Sequence, residues 1–278
     1  MRLQSIWRYP VKAMLGEELA AATVTGGGLL GDRRWRVIEE ASGRAIANKR
    51  GLIDRRLHAC RAELVDLDER GDGRLRVTLP DGAAVEGAAI EDALSELLER
   101  RVHLQRAEDE EAGRYGTPGA HQDFGPVALL TTAGLAHARS LAPDVVWDPR
   151  RFRPNFVVDD GEDPSDFSED RLVGCEVTAA GGLGLYAGMP VKLCVVPTRA
   201  VHDLAPDPRI LRVLAQHHRF DFGPWGRAPC LGVYAEVRRP ARIAVGERLA
   251  SSGTDATVAE VIAGHLPGLV AELRPELA

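Results

Sequence analysis

Short apolar runs, each closed within a few residues by glycine, proline or a polar turn, limit what the first hundred residues can build. Leu3 to Trp7 ends at Pro10. Leu19 to Thr25 is closed by Gly26-Gly27-Gly28. Arg34 to Glu39 carries Trp35, Val37 and Ile38, and a Ser42-Gly43-Arg44 turn leads into Ala45-Ile46-Ala47. Cys60 to Leu67 and Leu75 to Leu79 pair around Asp72-Gly73. Strands this closely spaced leave no room for crossover helices. The pattern therefore predicts a barrel or strongly twisted sheet rather than alternating strand–helix units. One amphipathic helix is expected over Ala89 to Arg101, with Ile90, Leu94, Leu97 and Leu98 on one side. A strand is expected at Val102 to Gln105.

From Ala107 to Phe124 the chain turns polar, and a domain boundary is expected there. The strand pattern restarts at Val127-Ala128-Leu129-Leu130, and Thr131 or Thr132 then caps a helix through Leu141. Further strands are expected at Phe152 to Val158, Glu176 to Ala180, Leu183 to Tyr186, Val191 to Val196, Leu231 to Val237 and Ile243 to Val245. A helix opens at Asp207-Pro208, with Ile210, Leu211 and Leu214 as its apolar positions. The reading is a mixed, β-rich fold with peripheral helices. It has a β-barrel domain over residues 1–110 and a second barrel-like domain over 111–253, with strands exchanged between the two. Residues 254–278 form a C-terminal extension that no motif needs.

With 278 residues the chain can bury a substantial core, and its net charge of −6 opposes non-specific nucleic-acid binding. No run approaches a membrane span, and the N-terminus lacks a cleavable leader pattern. Cys60, Cys175, Cys194 and Cys230 have no metal-knuckle spacing, so they read as reduced thiols of a cytoplasmic protein. No P-loop, dinucleotide-binding glycine fingerprint or Gly-x-Ser-x-Gly is present.

Against this acidic background two basic segments stand out. The first is Trp7-Arg8-Tyr9-Pro10-Val11-Lys12 with Gly31-Asp32-Arg33-Arg34. The second is Arg150-Arg151-Phe152-Arg153-Pro154-Asn155. Brought together, they would line a pocket for a bulky anion. Lys12 lies beyond the first strand and suits phosphate, although a solvated lysine is the plainer reading. Gly31 permits a tight turn, Asp32 orients Arg33, and Arg33 supplies planar donors. Strand alternation would place Arg151, Arg153 and Asn155 on one face, Asn155 offering donor and acceptor to a heterocycle. The competing reading is a basic strand edge that resists aggregation. Thr131 and Thr132 either contact an anion at the helix start or simply cap it. Cys230, with Arg227 nearby, is either a thiolate ligand or a core residue. No histidine, including His121, His202, His217 and His218, has a well-spaced ligand partner.

The ordered segments Ile6-Trp7-Arg8-Tyr9-Pro10-Val11-Lys12, Gly28 to Trp35, Lys49-Arg50, Phe152 to Phe156, and Leu231-Gly232-Val233-Tyr234 with Val245-Gly246-Glu247 resemble one family. It is the family of the molybdenum-cofactor sulfurase C-terminal (MOSC) domain, preceded by its N-terminal β-barrel domain. The resemblance implies a pterin cofactor whose dithiolene holds molybdenum and whose phosphate sits among basic residues. It implies Lys12, Arg33, Arg153, Asn155, Arg199 and the Thr131-Thr132 turn as cofactor contacts. Two positions depart from the pattern. Ala13 stands where the family has serine. Ala200, after Arg199, stands where molybdenum-binding relatives have the cysteine that ligates the metal. Cys230 is the first candidate to replace that ligand, and so the candidate metal-binding and catalytic residue. Cys194 and His202 follow.

The implied function is a molybdenum-cofactor-dependent oxidoreductase acting on a small oxidised substrate, N-hydroxylated compounds among the candidates, with electrons from a separate partner. The alternatives are a non-catalytic carrier of the pterin or of another phosphorylated ligand, and a cofactor-free enzyme with Cys230 as nucleophile.

Overall fold

The computed structural model describes residues 1–47, 52–68, 71, 73–107, 125–201 and 203–273. Lys49, Arg50, Asp72, His121, Asp123 and His202 lie outside them. Strands β1 (Arg2–Arg8), β2 (Glu17–Leu19), β3 (Ala21–Thr25), β4 (Gly28–Leu29), β5 (Trp35–Glu39), β6 (Arg44–Ala47) and β7 (Leu52–Ile53) precede a short helix, α1 (Arg55–Ala59). Then come β8 (Arg61–Val65), β9 (Arg74–Thr78), β10 (Ala84–Glu86), α2 (Ala89–Leu98) and β11 (Val102–Arg106). The second half holds β12 (Val127–Thr131), α3 (Thr132–Leu141), β13 (Phe156–Asp159), β14 (Cys175–Ala179) and β15 (Gly184–Lys192). It ends with α4 (Arg209–His217), β16 (Arg219–Asp221), β17 (Arg227–Arg239), β18 (Ala241–Ala244), β19 (Leu249–Ser252) and α5 (Val258–Leu273).

The largest sheet has nine strands in the order β19-β14-β15-β17-β12-β13-β1-β2, with β16 added on β17. Its last two members come from the chain's beginning: β1 pairs antiparallel with β13, Ile6 opposite Phe156 and Leu3 opposite Val158. In return β18 leaves the second half to pair with β3. The remaining early strands form two small sheets, β10-β9-β8 and β11-β5-β6-β7. The fold is mixed and β-rich as the pattern predicts, but no barrel closes among the described residues. The two ends of the large sheet approach at an isolated bridge, Arg2 to Arg248, with flanking backbone bonds from Leu3 to Glu247, from Gly246 to Leu3 and from Leu249 to Met1. In the first half, β1 and β2 are spent on the large sheet and cannot close a small one.

Alternation places Leu3, Ile6, Phe156, Val158, Leu129 and Val233 in one buried cluster on the large sheet. A second cluster, with Met14, Leu57, Leu94 and Val77, lies under α1 and α2 in the first half. Helix α5 seals the far side of the large sheet, packing Ile262 against Met189, Phe222, Ala228 and Cys230. The extension is therefore part of the folded body. Two further expectations are corrected. Leu183 to Tyr186 and Val191 to Val196 are not separate strands: β15 runs on through Pro190, and Val196 opens a 3-10 turn, Val196–Thr198. The segment before β13 is not strand either. Pro149–Arg151 forms a 3-10 turn capped by Asp148, and Arg153 has φ +55. Proline at the first turn position favours that start, and Pro154 disfavours a right-handed helical Arg153.

A buried ion pair ties the early strands of the large sheet to β8 of the small one. Arg8 on β1 donates to Glu17 on β2 at 2.8 Å, and also to the carbonyl oxygens of Leu30 and Leu64. Glu17 in turn accepts the Leu64 N–H. Removing one partner strands a charge in the interior, so Arg8→Ala is expected to cost about 3–5 kcal/mol in urea unfolding. A loss below about 1 kcal/mol, the range of an exposed pair, would contradict this reading.

Candidate functional site

Tyr9 lies where the two halves meet, and both basic segments converge on it. Its ring is buried, its N–H donates to Asp32 at 2.7 Å, and its hydroxyl donates to the Pro154 carbonyl, 145 residues away in sequence. Arg33 lies 4.9 Å from the ring centroid and Arg153 4.3 Å, so two guanidinium groups share one aromatic platform. Asp32 pairs with Arg33, Arg33 also donates to the Arg153 carbonyl, and Arg153 donates to the Met14 carbonyl. Burial raises the Tyr9 hydroxyl far above the ordinary phenol range, although both arginines pull it down, so Tyr9 is a neutral positioning residue.

The backbone here is strained. Ala13, Arg33 and Arg153 all have positive φ, three of the five such non-glycine residues among those described. Strain of this kind costs about 1–3 kcal/mol per residue and gathers at functional sites. Gly31, at φ +81, makes the turn that sets Asp32; a Cβ there would meet Leu64 at 2.6 Å. Lys12 is half-buried on the same loop, its N–H donating to the Trp35 carbonyl.

The loop around Ala200, where the resemblance places a metal-binding cysteine, is held from beneath by Arg151, which is 2 % exposed. Its guanidinium donates to the carbonyl oxygens of Val146, Pro197, Arg199 and Ala205 at 2.7–3.5 Å. Arg150 reaches Asp203 on the same loop. Ala200 is exposed and Cys194 half-buried. Burial first, and then Arg55 of α1, work against the charge of Arg199. The importance of Tyr9 and Arg151 is visible in sequence only as an aromatic and an arginine within basic runs. Nothing in the sequence singles out Arg55.

Three expected contacts are placed elsewhere. Asn155 is 1 % exposed and does not share a strand face with Arg153. Its Oδ1 accepts the Ala128 N–H and its Nδ2 donates to the Trp7 carbonyl, so its carboxamide joins strands. Thr131 is fully buried and caps α3 by accepting the Gly134 N–H. The Ala133 N–H is taken by Asp160 and the Thr132 hydroxyl faces Asp159, so carboxylates already occupy the helix start where an anion was expected. The Thr131 hydroxyl also meets Ser168 and Glu169, each at 2.9 Å. Burial raises Glu169 above the usual carboxyl range, against the hydrogen bonds from the Gly232 N–H and the Thr131 hydroxyl that pull it back. Its other oxygen accepts the Gly232 N–H, at a residue with φ +87 where a Cβ would strike the Leu129 carbonyl at 2.6 Å.

Cys230 is a core thiol on β17, fully buried against α5. Burial raises its pKa well beyond the usual thiol range, which disfavours the thiolate a metal or a nucleophilic role requires. Its carbonyl receives Nδ1–H of His218, whose Nε2 lies 3.0 Å from Asp170. With acceptors at both ring nitrogens, His218 is an imidazolium, stacked on Phe167 at 4.0 Å. Burial opposes that charge, but Asp170 outweighs it and the pKa is raised. Among the described residues no group of three His, Cys, Asp or Glu side chains is placed to hold a metal ion, and no helix is long and apolar enough to cross a membrane.

Two family models match the chain: the MOSC N-terminal beta barrel domain over residues 1–115 and the MOSC domain over residues 119–250. No curated protein matches it. Among solved structures it is similar to the YUAD protein from Bacillus subtilis, with 12 % identity, 91 % of this chain and 96 % of that one covered, and a TM-score of 0.46. It is also similar to YiiM from Geobacillus stearothermophilus, with 12 % identity over 54 % of this chain and 64 % of that one, and a TM-score of 0.34.

Two measurements check these placements. Iodoacetamide on the native protein is expected to label Cys194 first, with Cys60 (pushed up to about 12 by burial), Cys175 and Cys230 reacting only after unfolding. Comparable native labelling of Cys230 would contradict its core placement. His218 stabilises the fold fully while pH stays below the unfolded value of about 6.5, and loses that contribution as pH rises through its raised folded value. The stability gap between wild type and His218→Gln should therefore be widest in acid and close as pH rises. A pH-independent gap would mean the ring is neutral.

Proposed function

Because the chain belongs to the MOSC domain family, carries that family's N-terminal domain and so has a role connected with the molybdenum cofactor, we propose that it binds the cofactor at the Tyr9 junction. There it acts as an oxidoreductase on a small oxidised substrate. One observation carries the reading: Arg33 and Arg153, from opposite halves of the chain, meet over Tyr9 with both backbones in the left-handed region. Preorganised guanidinium groups suit a phosphate, and folding rather than binding meets the cost of bringing like charges together.

The residues fit the two ends of the cofactor differently. Arg33 and Arg153, with Lys12 on the adjoining loop, suit the anionic phosphate and the pterin. The position where the resemblance places the metal ligand holds Ala200, which cannot donate a sulfur, and Cys230 is sealed in the core. Metal on this chain would rest on the cofactor's own dithiolene, and no chemical step is assigned to a protein thiolate. When bound, the cofactor would supply the redox chemistry. The chain would hold the pterin phosphate, keep Tyr9 protonated as a platform, and fix the Ala200 loop through Arg151. Electrons would come from a separate donor. Ala200 specifically favours a second reading, in which the chain carries the pterin without turnover.

Protein made in a molybdenum-competent host, assayed for pterin fluorescence and molybdenum content, tests the proposal. Wild type should retain both near stoichiometrically. Arg33→Ala and Arg153→Ala should each weaken retention about tenfold or more, the loss of one charge-assisted hydrogen bond. Pterin without molybdenum would select the carrier reading. Wild type lacking both, or both variants retaining wild-type levels, would refute cofactor binding at Tyr9.

A further inference from the structure

The large sheet ends at β19 with an open edge. In the sheet order β14 is its one neighbour, and their ladder runs in unbroken register from Ala179 opposite Leu249 to Glu176 opposite Ser252. Leu249 is buried, but Ala250, Ser251 and Ser252 are all exposed, so neither face of the strand is covered beyond Leu249. Those three residues include no charge and no proline, two of the usual guards of an edge strand. The opposite end of the sheet is stopped: the Glu17 carboxylate of β2 takes the Leu64 N–H of the neighbouring small sheet.

Hydrogen-bond directions show which groups of β19 are open. The Leu249 N–H donates to the Met1 carbonyl, away from β14, whereas the Arg248 carbonyl accepts from Ala180 on the β14 side. These directions alternate along a strand, so Ser251, like Leu249, turns its N–H and C=O away from β14. Among the described residues no strand meets them there. Beside this open stretch Arg2 and Arg248 face each other across an antiparallel bridge, both exposed. The flanking bonds make it the closer kind of antiparallel pair, in which like charges repel. Arg2 donates to the Gly246 carbonyl, and neither arginine forms an ion pair among the described residues. The nearest carboxylates are engaged by backbone: Glu247 accepts the Gly181 and Ala244 N–H groups, and Asp159, opposite Arg2 on β13, accepts the Gly161 N–H.

We propose that the β19 edge is a docking site for an extended segment of a partner protein, which adds a strand at Ser251 and places a carboxylate opposite Ala250. Main-chain bonds to Ser251 hold the segment, and alternate side chains select it. A residue opposite Ala250 lies on the outer face with Arg2 and Arg248, one pleat from each, so an acid there relieves their repulsion. A residue opposite Ser251 falls on the side of Leu249 and Met1, which belong to or pack on the core, so it is apolar. Opposite Ser252 a second acid is excluded, because the exposed Glu176 stands on that face. The docking site rests on no part of the cofactor reading.

The test uses the isotope-labelled full chain and a blocked hexapeptide, Val-Ser-Val-Ser-Val-Glu, with terminal acetyl and amide groups. Peptide should slow hydrogen exchange of the Ser251 N–H about tenfold or more at saturation. Replacing the peptide's glutamate by glutamine should weaken binding about tenfold. Arg248→Gln should weaken the glutamate peptide by a similar factor and the glutamine peptide by less than about twofold. Ser251→Pro should abolish binding and keep the circular dichroism of wild type, because its N–H is not used by β14. Should that variant not fold, a peptide N-methylated at its last valine supplies the same test by failing to bind. Unchanged Ser251 exchange, or equal binding of the glutamate and glutamine peptides, overturns the proposal. So does a dimer in sedimentation whose formation protects Ser251 without peptide, since a second copy would then own the edge.

Discussion

The junction depends on the pairing of β1 with β13, and Asn155 fastens it. Its backbone N–H donates to Ala128 and its carbonyl accepts from Trp7, both at 2.8 Å. Its carboxamide bonds the same two residues again, accepting from Ala128 and donating to Trp7. One buried residue thus ties the first strand of the chain to two strands of the second half. Tyr9 follows directly from β1 and Pro154 lies just before Asn155, so the hydroxyl of one reaches the carbonyl of the other. The meeting of Arg33 and Arg153 is a consequence of strand register.

That meeting opposes charge repulsion and backbone preference at once. Asp32 offsets part of the charge, since it both accepts the Tyr9 N–H and pairs with Arg33. The Tyr9 ring offers its face to both cations. The remaining stability comes from burial on either side, where Leu3 and Ile6 pack in one core and Val11 and Met14 in the other. Folding rather than a ligand sets the geometry of the two guanidinium groups, which is the preorganisation the proposed phosphate site calls for.

Much of the fold was legible because alternation is local. The runs around Val37, Val77 and Leu129 are strands near their expected limits, and the run around Val233 is a strand that extends past both of its expected ends. Two misreadings had signals that alternation overrode. Asp148-Pro149 marked a turn start and Pro154 a break, yet the basic run was read as strand. Thr257 and Glu260 form a reciprocal capping box, Thr257 N–H to the carboxylate and Glu260 N–H to the hydroxyl, which announced α5 in a segment that no motif required. The site was legible only as two basic segments. Their convergence depends on a pairing between residues more than a hundred positions apart, and the sealing of Cys230 depends on α5; neither leaves a local trace.

Arg33 and Arg153 meet over Tyr9, while Ala200 stands where the resemblance places a metal-binding cysteine. Arg151 keeps the Ala200 loop in place through the Arg199 carbonyl. The most direct test is a crystal structure of the cofactor-loaded protein. The account predicts a phosphate within hydrogen-bonding distance of both Arg33 and Arg153, with no protein sulfur on the metal. A phosphate bound away from Tyr9, or a cysteine sulfur coordinating the metal, would contradict it.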